Sequence, residues 1–334
     1  MEDAITLTGL DLSGLTVLTE IGTADFALTP IIARLAGADA IYCWVRDSRW
    51  GKTVDITKTF AMTCAGFGVD PDSFFIRENV RPAEDVLRAN IITNSGMLRP
   101  LDAEMLAPAI PDHCVISLMY DAWEIRPTDI AMNFCQSRGI RVCGTNEFDP
   151  DFPIFKYVGP LIAKMLLEAG YEVMGNRIII WSDDHFGSTA HDYLTRMGAS
   201  DVWLTKSRAE VMSKAPSADA LVLADYHGIT PLFGRAGTPS EYVFDLEVFR
   251  NIAPKLGIVH LYGLLDAEIV REAGFTPYPD RSGAPQAMTF NLAHVGATPV
   301  IRLMVAGLRA GQEVVKGEPL RFAQPIASMA TVVS

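Results

Sequence analysis

The stretch Gly175–Lys206 reads GNRIIIWSDDHFGSTAHDYLTRMGASDVWLTK and decides the fold. Its run Arg177–Trp181 is continuously apolar after the first residue, as expected of a central strand that is buried on both faces of a parallel sheet. A tight turn, a helical pattern and a second strand, Val202–Thr205, follow. The order strand, turn, helix, strand predicts a βαβ unit.

The turn of this unit, Ser182–Gly187, has the sequence SDDHFG where a dinucleotide-binding unit has G-x-G-x-x-G. Such a loop needs glycines because its backbone must approach a pyrophosphate at the N-terminus of the helix. Only the last glycine is present here, and Asp183 and Asp184 add bulk and negative charge. Two unit charges ~4–6 Å apart interact by several kcal/mol at intermediate dielectric. The alternative is that the two aspartates cap the helix.

The first 150 residues alternate short apolar runs with helical patterns, which predicts a parallel sheet covered on both faces. The predicted strands are Leu15–Glu20, Ala40–Val45, Ser73–Arg77, Asn90–Thr93, Cys114–Met119 and Arg141–Gly144. A break follows at Glu147–Pro153. We expect the next helix over Phe152–Ala169, capped by Asp151 and kinked at Pro160.

The second half repeats this architecture without repeating the sequence. Its predicted strands are Arg177–Trp181, Val202–Thr205, Ala220–Ala224, Ile258–Leu261 and a segment near Met288–Asn291. A last helix is expected over Pro299–Ala310, and the chain after Gly317 is expected to be irregular. The sequence thus predicts an α/β protein with two Rossmann-like parallel-sheet domains, one flavodoxin-like and one dinucleotide-binding-like, with a cleft between them. We place the first domain at residues 1–150 with 299–334, and the second at 151–298.

The net charge of −12 over 334 residues argues against nucleic acid or an anionic membrane as the main partner. We expect no signal peptide at the start MEDAITLT, and no apolar stretch approaches the ~18 residues of a membrane span. Five cysteines occur without a C-x-x-C pair, and Cys43, Cys114 and Cys143 lie in apolar runs. Buried thiols in a reducing cytoplasm are expected.

Three stretches resemble the D-isomer-specific 2-hydroxyacid dehydrogenase superfamily in their order along the chain. They are Ile91–Leu106 (IITNSGMLRPLDAEML), Arg126–Asn146 (ending RGIRVCGTN) and His294–Thr298 (HVGAT). The resemblance implies an NAD(P)-dependent oxidoreductase that acts on a small carboxylate-bearing substrate in the interdomain cleft. It also implies a homodimer, with 1–150 and 299–334 as the substrate-type domain and 151–298 as the nucleotide-binding-like domain.

By this resemblance His294 is the catalytic histidine, and the turn at Ser95 and Gly96 donates backbone N–H groups to a substrate carboxylate. The chain departs from the family at other positions. The family's catalytic arginine is absent from the matching segment Val259–Gly263 (VHLYG), and its glutamate has no match beyond a guess at Asp280. The missing arginine and glycines favour a non-redox enzyme or a catalytically inactive metabolite-binding relative.

The cofactor, if one binds, is expected at the turn and at the end of the second strand. Lys206 and Arg208 stand where the family has an acidic ribose ligand, which favours NADP over NAD; the alternative is a solvated loop. The candidate cofactor-binding residues are Ser182, Asp183, Asp184, His185, Phe186, Gly187, Lys206 and Arg208.

His and Asp residues follow several predicted strands of the second domain. Because ligands bind outside the carboxyl ends of parallel strands, we expect these side chains to form a shared acid–base site. The candidate catalytic residues are His294, His260, His227, Asp225 and Tyr262. A divalent metal held by Asp184, His185, His227 and His260 is the alternative, although the spacing matches no compact metal motif.

The first domain has polar strand ends of its own, among them Glu20, Asp121 and Glu147. Arg46 and Arg49 precede Trp50 in a basic loop and are candidates to clamp an anionic substrate. The alternative is a basic surface loop, with Trp50 as a lid or interface residue. The candidate substrate-binding residues are Ser95, Gly96, Arg46, Arg49 and Tyr120.

Overall fold

The computed structural model describes residues 1–235 and 241–326. The chain divides into two compact units. Unit 1 comprises Met1–Ile154 and the chain from Ala297 onwards, and unit 2 comprises Phe155–Gly296. Each unit is a mainly parallel sheet with helices, so the predicted α/β class with two Rossmann-like sheets is confirmed.

The strands are β1 Thr16–Glu20, β2 Ala40–Val45, β3 Phe75–Glu78, β4 Ile91–Thr93, β5 Val115–Ser117, β6 Arg141–Thr145, β7 Arg177–Trp181, β8 Asp201–Thr205, β9 Ala220–Ala224, β10 Phe233–Gly234, β11 Phe244–Asp245, β12 Gly257–Tyr262, β13 Pro277–Tyr278 and β14 Ala323–Pro325. The α-helices are α1 Glu2–Thr8, α2 Leu28–Leu35, α3 Thr53–Gly66, α4 Ala83–Arg88, α5 Ala103–Leu106, α6 Met132–Arg138, α7 Val158–Glu168, α8 His185–Arg196, α9 Arg208–Lys214, α10 Leu246–Ile252, α11 Ala267–Glu272 and α12 Ala297–Lys316.

Among the described residues, unit 1 has a sheet of seven strands in the order β14-β6-β5-β4-β1-β2-β3. All neighbours are parallel except β14, which runs antiparallel to β6. Strand order reverses at β1, which pairs with β2 on one side and β4 on the other. The crevice between the ends of β1 and β4 is therefore the topological switch point, where open α/β sheets bind ligands.

Among the described residues, unit 2 has a sheet of five parallel strands in the order β13-β12-β9-β7-β8 and a separate pair, β10-β11. Here the order reverses at β7, which pairs with β8 and β9, so the switch point lies between the ends of β7 and β9. Residues 178–181 of β7 are buried, as expected of a central strand. A buried apolar cluster that includes Ile179, Leu221 and Ile258 packs on this sheet.

Two expectations about strands are wrong. The chain after Gly317 is not irregular throughout, because β14 joins the sheet of unit 1 beside β6. Residues 327–334 of the predicted tail lie outside the described residues. The segment Met288–Asn291 forms no strand; the edge strand of unit 2 is instead β13, in which Tyr278 pairs with Val259. Two- and three-residue edge strands are too short to show the alternation on which strand prediction depends.

The crossover helix also begins later than predicted. A short 3₁₀ turn precedes α7, which begins at Val158. The predicted cap, Asp151, is replaced by Asp149, whose side chain accepts a hydrogen bond from the Phe152 amide (2.8 Å). Pro160 is the third residue of α7. A proline in the first turn loses no intrahelical hydrogen bond, so the reason to expect a kink disappears.

The five cysteines are free and buried, as predicted. All of them belong to unit 1. No helix in the described part of the chain is long and apolar enough to cross a membrane.

Candidate functional site

The switch point of unit 2 is occupied by the carboxylate of Asp184, the N-cap residue of α8. Its Oδ1 accepts hydrogen bonds from the Phe186 amide (2.8 Å), the Gly187 amide (3.3 Å) and the Ser182 hydroxyl (2.9 Å). Its Oδ2 accepts from the amide of Tyr226, which follows β9 (2.8 Å). One carboxylate thus joins the ends of β7 and β9 and uses the first amides of α8. Helix capping, one of the two expectations for this turn, is confirmed for Asp184, whereas Asp183 is exposed and pairs with Lys206.

Burial raises the pKa of Asp184, although the hydrogen bonds from Tyr226 and Ser182 act in the opposite direction. Gly187 packs closely against Ser182, which leaves still less space at this switch point. A Cβ at Gly187 would lie 2.4 Å from the Ser182 Cβ. The single retained glycine therefore allows α8 to pack closely against the turn that precedes it. The ring of Phe186 stacks on Tyr226 at a centroid distance of 5.9 Å and packs at a tilt against Tyr262 at 4.5 Å.

The basic residue expected to hold a 2′-phosphate is already neutralised. The Lys206 Nζ lies 3.0 Å from Asp225 and 3.4 Å from Asp183. Partial burial acts to lower the pKa of Lys206, but these two carboxylates outweigh it and raise the pKa. Arg208 is exposed at the start of α9, and His185 is exposed at the start of α8. The residues of unit 2 therefore do not fit a dinucleotide whose pyrophosphate binds at the N-terminus of α8.

The switch point of unit 1 has a similar arrangement. Glu20, the last residue of β1, is buried, and its carboxylate accepts a hydrogen bond from the amide of Met97. Burial raises its pKa, against the hydrogen bonds that it accepts from the turn and the nearby charge of Arg99. This turn contains Ser95 and Gly96, the predicted substrate-carboxylate site. A carboxylate of the chain itself therefore lies beside the amides that the resemblance assigns to substrate.

The histidines assigned to the shared site or to its metal alternative, His185, His227, His260 and His294, do not come together. His260 is fully buried in β12, and its Nε2 bonds the carbonyl of Pro279 (2.8 Å). His227 is exposed beside the Tyr226 ring, and His185 lies beside Phe155. His260 lies within β12, where its side chain faces the core, whereas His185 and His227 lie in the segments that follow β7 and β9, so similar positions along the sequence did not bring these side chains together.

The described residues contain no group of three or more His, Cys, Asp or Glu side chains arranged to hold a metal. The alternative metal set of Asp184, His185, His227 and His260 is therefore not assembled. Burial also lowers the pKa of His260. A neutral, enclosed imidazole with a carbonyl partner is a packed core residue, so the structure gives His260 no access to a ligand.

His294 lies in a different polar cluster, formed with Glu168 and Tyr278. The Glu168 Oε2 accepts from the Tyr278 hydroxyl (2.5 Å) and lies 2.7 Å from the His294 Nε2. The hydrogen bond from Tyr278, and then that of His294, lower the pKa of Glu168, while burial raises the pKa of Tyr278 to about 12. Phe290 stacks on the His294 ring at 4.0 Å.

This cluster lies towards the amino ends of the unit 2 strands. Glu168 is the last residue of α7, and Tyr171, three residues later, packs against Gly257, the first residue of β12. Asp184 and Asp225 follow the opposite, carboxyl ends. Glu168 was not predicted from the sequence, because the end of a crossover helix carries no pattern that indicates a partner 126 residues later.

Asp225 and Tyr262, the other candidate catalytic residues, are both buried. Asp225 binds Lys206, and its Oδ1 is buried without a hydrogen-bond partner in the described part of the chain. Tyr262 packs against Phe186 and lies 5.2 Å from the Tyr226 ring. Both residues line a space of only about 10 Å³. That volume holds about one water molecule, so it is too small for a substrate.

A larger cavity, of about 330 Å³, opens in unit 1 at the ends of β2 and β3. Its lining includes Trp44, Arg46, Asp47, Arg81 and Met97. Of the other candidate substrate-binding residues, Arg49 lies over the exposed Trp50 ring at 4.6 Å. Tyr120 is buried and donates its hydroxyl hydrogen bond to Asp129 (2.6 Å). The structure therefore places Arg46 at a cavity and leaves Arg49 and Tyr120 in other surroundings.

Three buried acidic residues follow β5 and β6 of unit 1. They are Asp121, Glu124 and Glu147, and the Glu147 amide donates to the Asp121 Oδ2 (3.4 Å). Burial, and then the negative charges of Glu124 and Asp121, raise the pKa of Glu147 well above its ordinary value. Asp121 and Glu147 were recognised as strand-end groups in the sequence, but their burial and mutual proximity were not.

No family model matches the chain, and no curated protein matches it. Solved structures do match in fold. A dipicolinate synthase structure from Bacillus subtilis is 15% identical with a TM-score of 0.56, and one from Bacillus halodurans is 12% identical with a TM-score of 0.54. Each match covers 93% of this chain and all of the other.

The pyruvate reductase of Chlamydomonas reinhardtii is 10% identical with a TM-score of 0.51, over 92% of this chain and 98% of that one. Identities this low are evidence about fold alone. At the level of fold, the chain resembles these solved structures over nearly its whole length.

Proposed function

We propose that this protein binds a small carboxylate-bearing metabolite in the cavity of unit 1 that Arg46 and Arg81 line. The observation that carries the proposal is the pair of guanidinium groups in a cavity of about 330 Å³. Small-molecule sites typically have volumes of this order, with apolar walls and few convergent polar groups. Trp44 and Met97 supply apolar wall here, and Asn79 supplies an amide.

The charge of the cavity supports an anionic ligand. Arg46 reaches the carbonyl of Arg99 (3.5 Å), and Arg81 reaches the carbonyl of Met97 (3.3 Å). Partial burial and then the positive charge of Arg46 lower the pKa of Arg81, against the attraction of Asp102. Asp47, the acidic lining residue, is bound to the Lys52 Nζ at 2.8 Å. Two neighbouring guanidinium groups suit a carboxylate, which accepts two parallel hydrogen bonds from one fork.

An NAD(P)-dependent oxidation or reduction of that metabolite is the second candidate, and the fold favours it. The observation against it is Asp184, whose carboxylate already uses the amides of Phe186 and Gly187. We therefore prefer a metabolite-binding or non-redox role. The homodimer and the cytoplasmic location remain predictions.

The test is a ligand screen with matched arginine variants. Small mono- and dicarboxylates are titrated calorimetrically against wild type, Arg46→Gln, Arg81→Gln and Arg49→Gln. A hydrogen bond to a charged group contributes about 1.5–3 kcal/mol, so each cavity variant should weaken binding at least tenfold. Arg49→Gln removes a neighbouring charge outside the cavity and should leave affinity within about twofold. Binding that is equally weakened by Arg49→Gln, or untouched by Arg46→Gln and Arg81→Gln, contradicts the proposal.

A further inference from the structure

Asp184 differs from an ordinary helix cap in the number and origin of its donors. The carboxylate accepts from two amides of α8, from the Ser182 hydroxyl and from the Tyr226 amide 42 residues later in the chain. An N-cap carboxylate needs only the first amides of its own helix. The contact with Tyr226 spans the switch point, so the side chain fills the crevice as well as capping the helix.

The donors of Asp184 are the kind that hold phosphate in this fold. A helix N-terminus offers free N–H groups and the positive end of the helix dipole, and both favour any anion that reaches them. A carboxylate oxygen and a phosphate oxygen compete for the same N–H groups. Because Asp184 is tethered, its effective concentration at this place is high, as for any intramolecular ligand. A phosphate would have to displace the Asp184 carboxylate from these donors. It would then also be repelled by the negative charge of that carboxylate, which stays close by.

Glu20 has the same arrangement in unit 1, a buried carboxylate that accepts from a backbone amide at the switch point. It is the last residue of the central strand β1, as Asp184 closely follows the central strand β7. Its buried carboxylate bonds the Met97 amide at the switch point between β1 and β4. Two units without sequence repetition thus each place one carboxylate in the crevice that this architecture uses for ligands.

We propose that Asp184 is a built-in anion that occupies the phosphate position of unit 2. The chain consequently does not bind dinucleotides through the N-terminus of α8, and removal of this one carboxylate uncovers an anion site there. The proposal is independent of the metabolite that binds in unit 1.

The experiment compares binding of ADP and NADH to wild type, Asp184→Ser, Asp184→Asn and Asp183→Ala. Trp181, the last residue of β7, is a fluorescence donor for NADH, and calorimetry measures ADP. Asp184→Ser keeps a hydroxyl that caps the helix, so it should fold, but it is too short to reach the Tyr226 amide. We expect at least a tenfold gain in affinity for both probes over wild type, which should bind neither at micromolar concentration.

The other two variants separate occupancy from simple repulsion. Asp184→Asn loses the charge and one of the two acceptors, but its side chain has the same size and still fills the crevice, so affinity should change less than threefold. Asp183→Ala removes the exposed charge of the preceding residue and should also change the affinity for either probe by less than threefold. Equal gains in Asp183→Ala and Asp184→Ser would show that charge alone matters and would overturn the proposal. So would micromolar NADH binding by wild type that Asp184→Ser leaves unchanged.

Discussion

At the scale of single residues, several carboxylates are buried away from water, among them Glu20, Glu147 and Glu313. Glu147 is the clearest case, since burial and the charges of Glu124 and Asp121 all favour its protonated form. A carboxyl whose pKa is raised by folding stabilises the protein fully below its unfolded pKa. That contribution is lost as the pH rises through the pKa of the folded state.

Glu147→Gln should therefore flatten the pH dependence of stability. Gln resembles the protonated acid in shape and remains neutral, so it avoids the cost of ionising a buried group. We expect the free energy of unfolding of wild type to fall, relative to the variant, as the pH rises from about 4.5, the ordinary pKa. Urea denaturation between pH 4 and pH 8 measures this difference. The exposed Glu104→Gln is the control, and parallel curves for Glu147→Gln and wild type would contradict the assignment.

At the scale of elements, β14 depends on one side chain of α12. The Glu313 Oε2 accepts from the amides of Arg321, Phe322 and Ala323 (3.0, 2.9 and 2.9 Å), and Glu313 is fully buried. Phe322 is buried beside Phe152 at a ring distance of 5.8 Å. The last strand is thus anchored by a buried acceptor as well as by its ladder with β6.

Glu313→Ala should release β14 and destabilise unit 1 by about 2–4 kcal/mol, because it leaves three donors unsatisfied and a cavity. Glu313→Gln keeps the acceptor oxygen and should cost less than half as much. Chemical denaturation gives the magnitude, and hydrogen exchange at the 321–323 amides reports the local opening. If those amides exchange at the wild-type rate in Glu313→Ala, the anchor is not Glu313.

Helices and strands with a clear pattern of apolar residues were predictable from the sequence, and those without such a pattern were not. The central strands β2 and β7 have the bounds expected from their apolar runs, because a strand buried on both faces leaves a continuous apolar signal. The edge strands β13 and β14 are set by neighbours distant in sequence. A three-residue stretch such as β14 has no signal of its own, so its pairing with β6 could not be predicted.

At the scale of the whole molecule, the chain is two units with separate sheets, and its cysteines are confined to one of them. Burial raises the pKa of Cys64, Cys114 and Cys135 to about 11 and that of Cys143 to about 12. The pKa of Cys43 is also raised by burial. Since the thiolate is the reactive form, these residues should be inert in the folded protein.

We expect a thiol reagent at pH 8 to modify none of the five cysteines in the native protein and all five in denaturant. Because they lie in unit 1, the labelling midpoint in urea reports that unit. The fluorescence of Trp181 and Trp203 reports unit 2 once Trp44, Trp50 and Trp123 of unit 1 are replaced by Phe. The two midpoints need not coincide. Rapid modification of any cysteine under native conditions would show that its environment is open.

The sequence by itself determined the two wound sheets, their interior strands and the burial of the cysteines. These follow from local periods and from residue types. Only the tertiary structure decided which groups fill the switch points. Asp184 meets Tyr226 across 42 residues, and Glu20 meets Met97 across 77. Hydrogen bonds between such distant residues exist only after the strands are ordered in the sheet, so no local pattern records them.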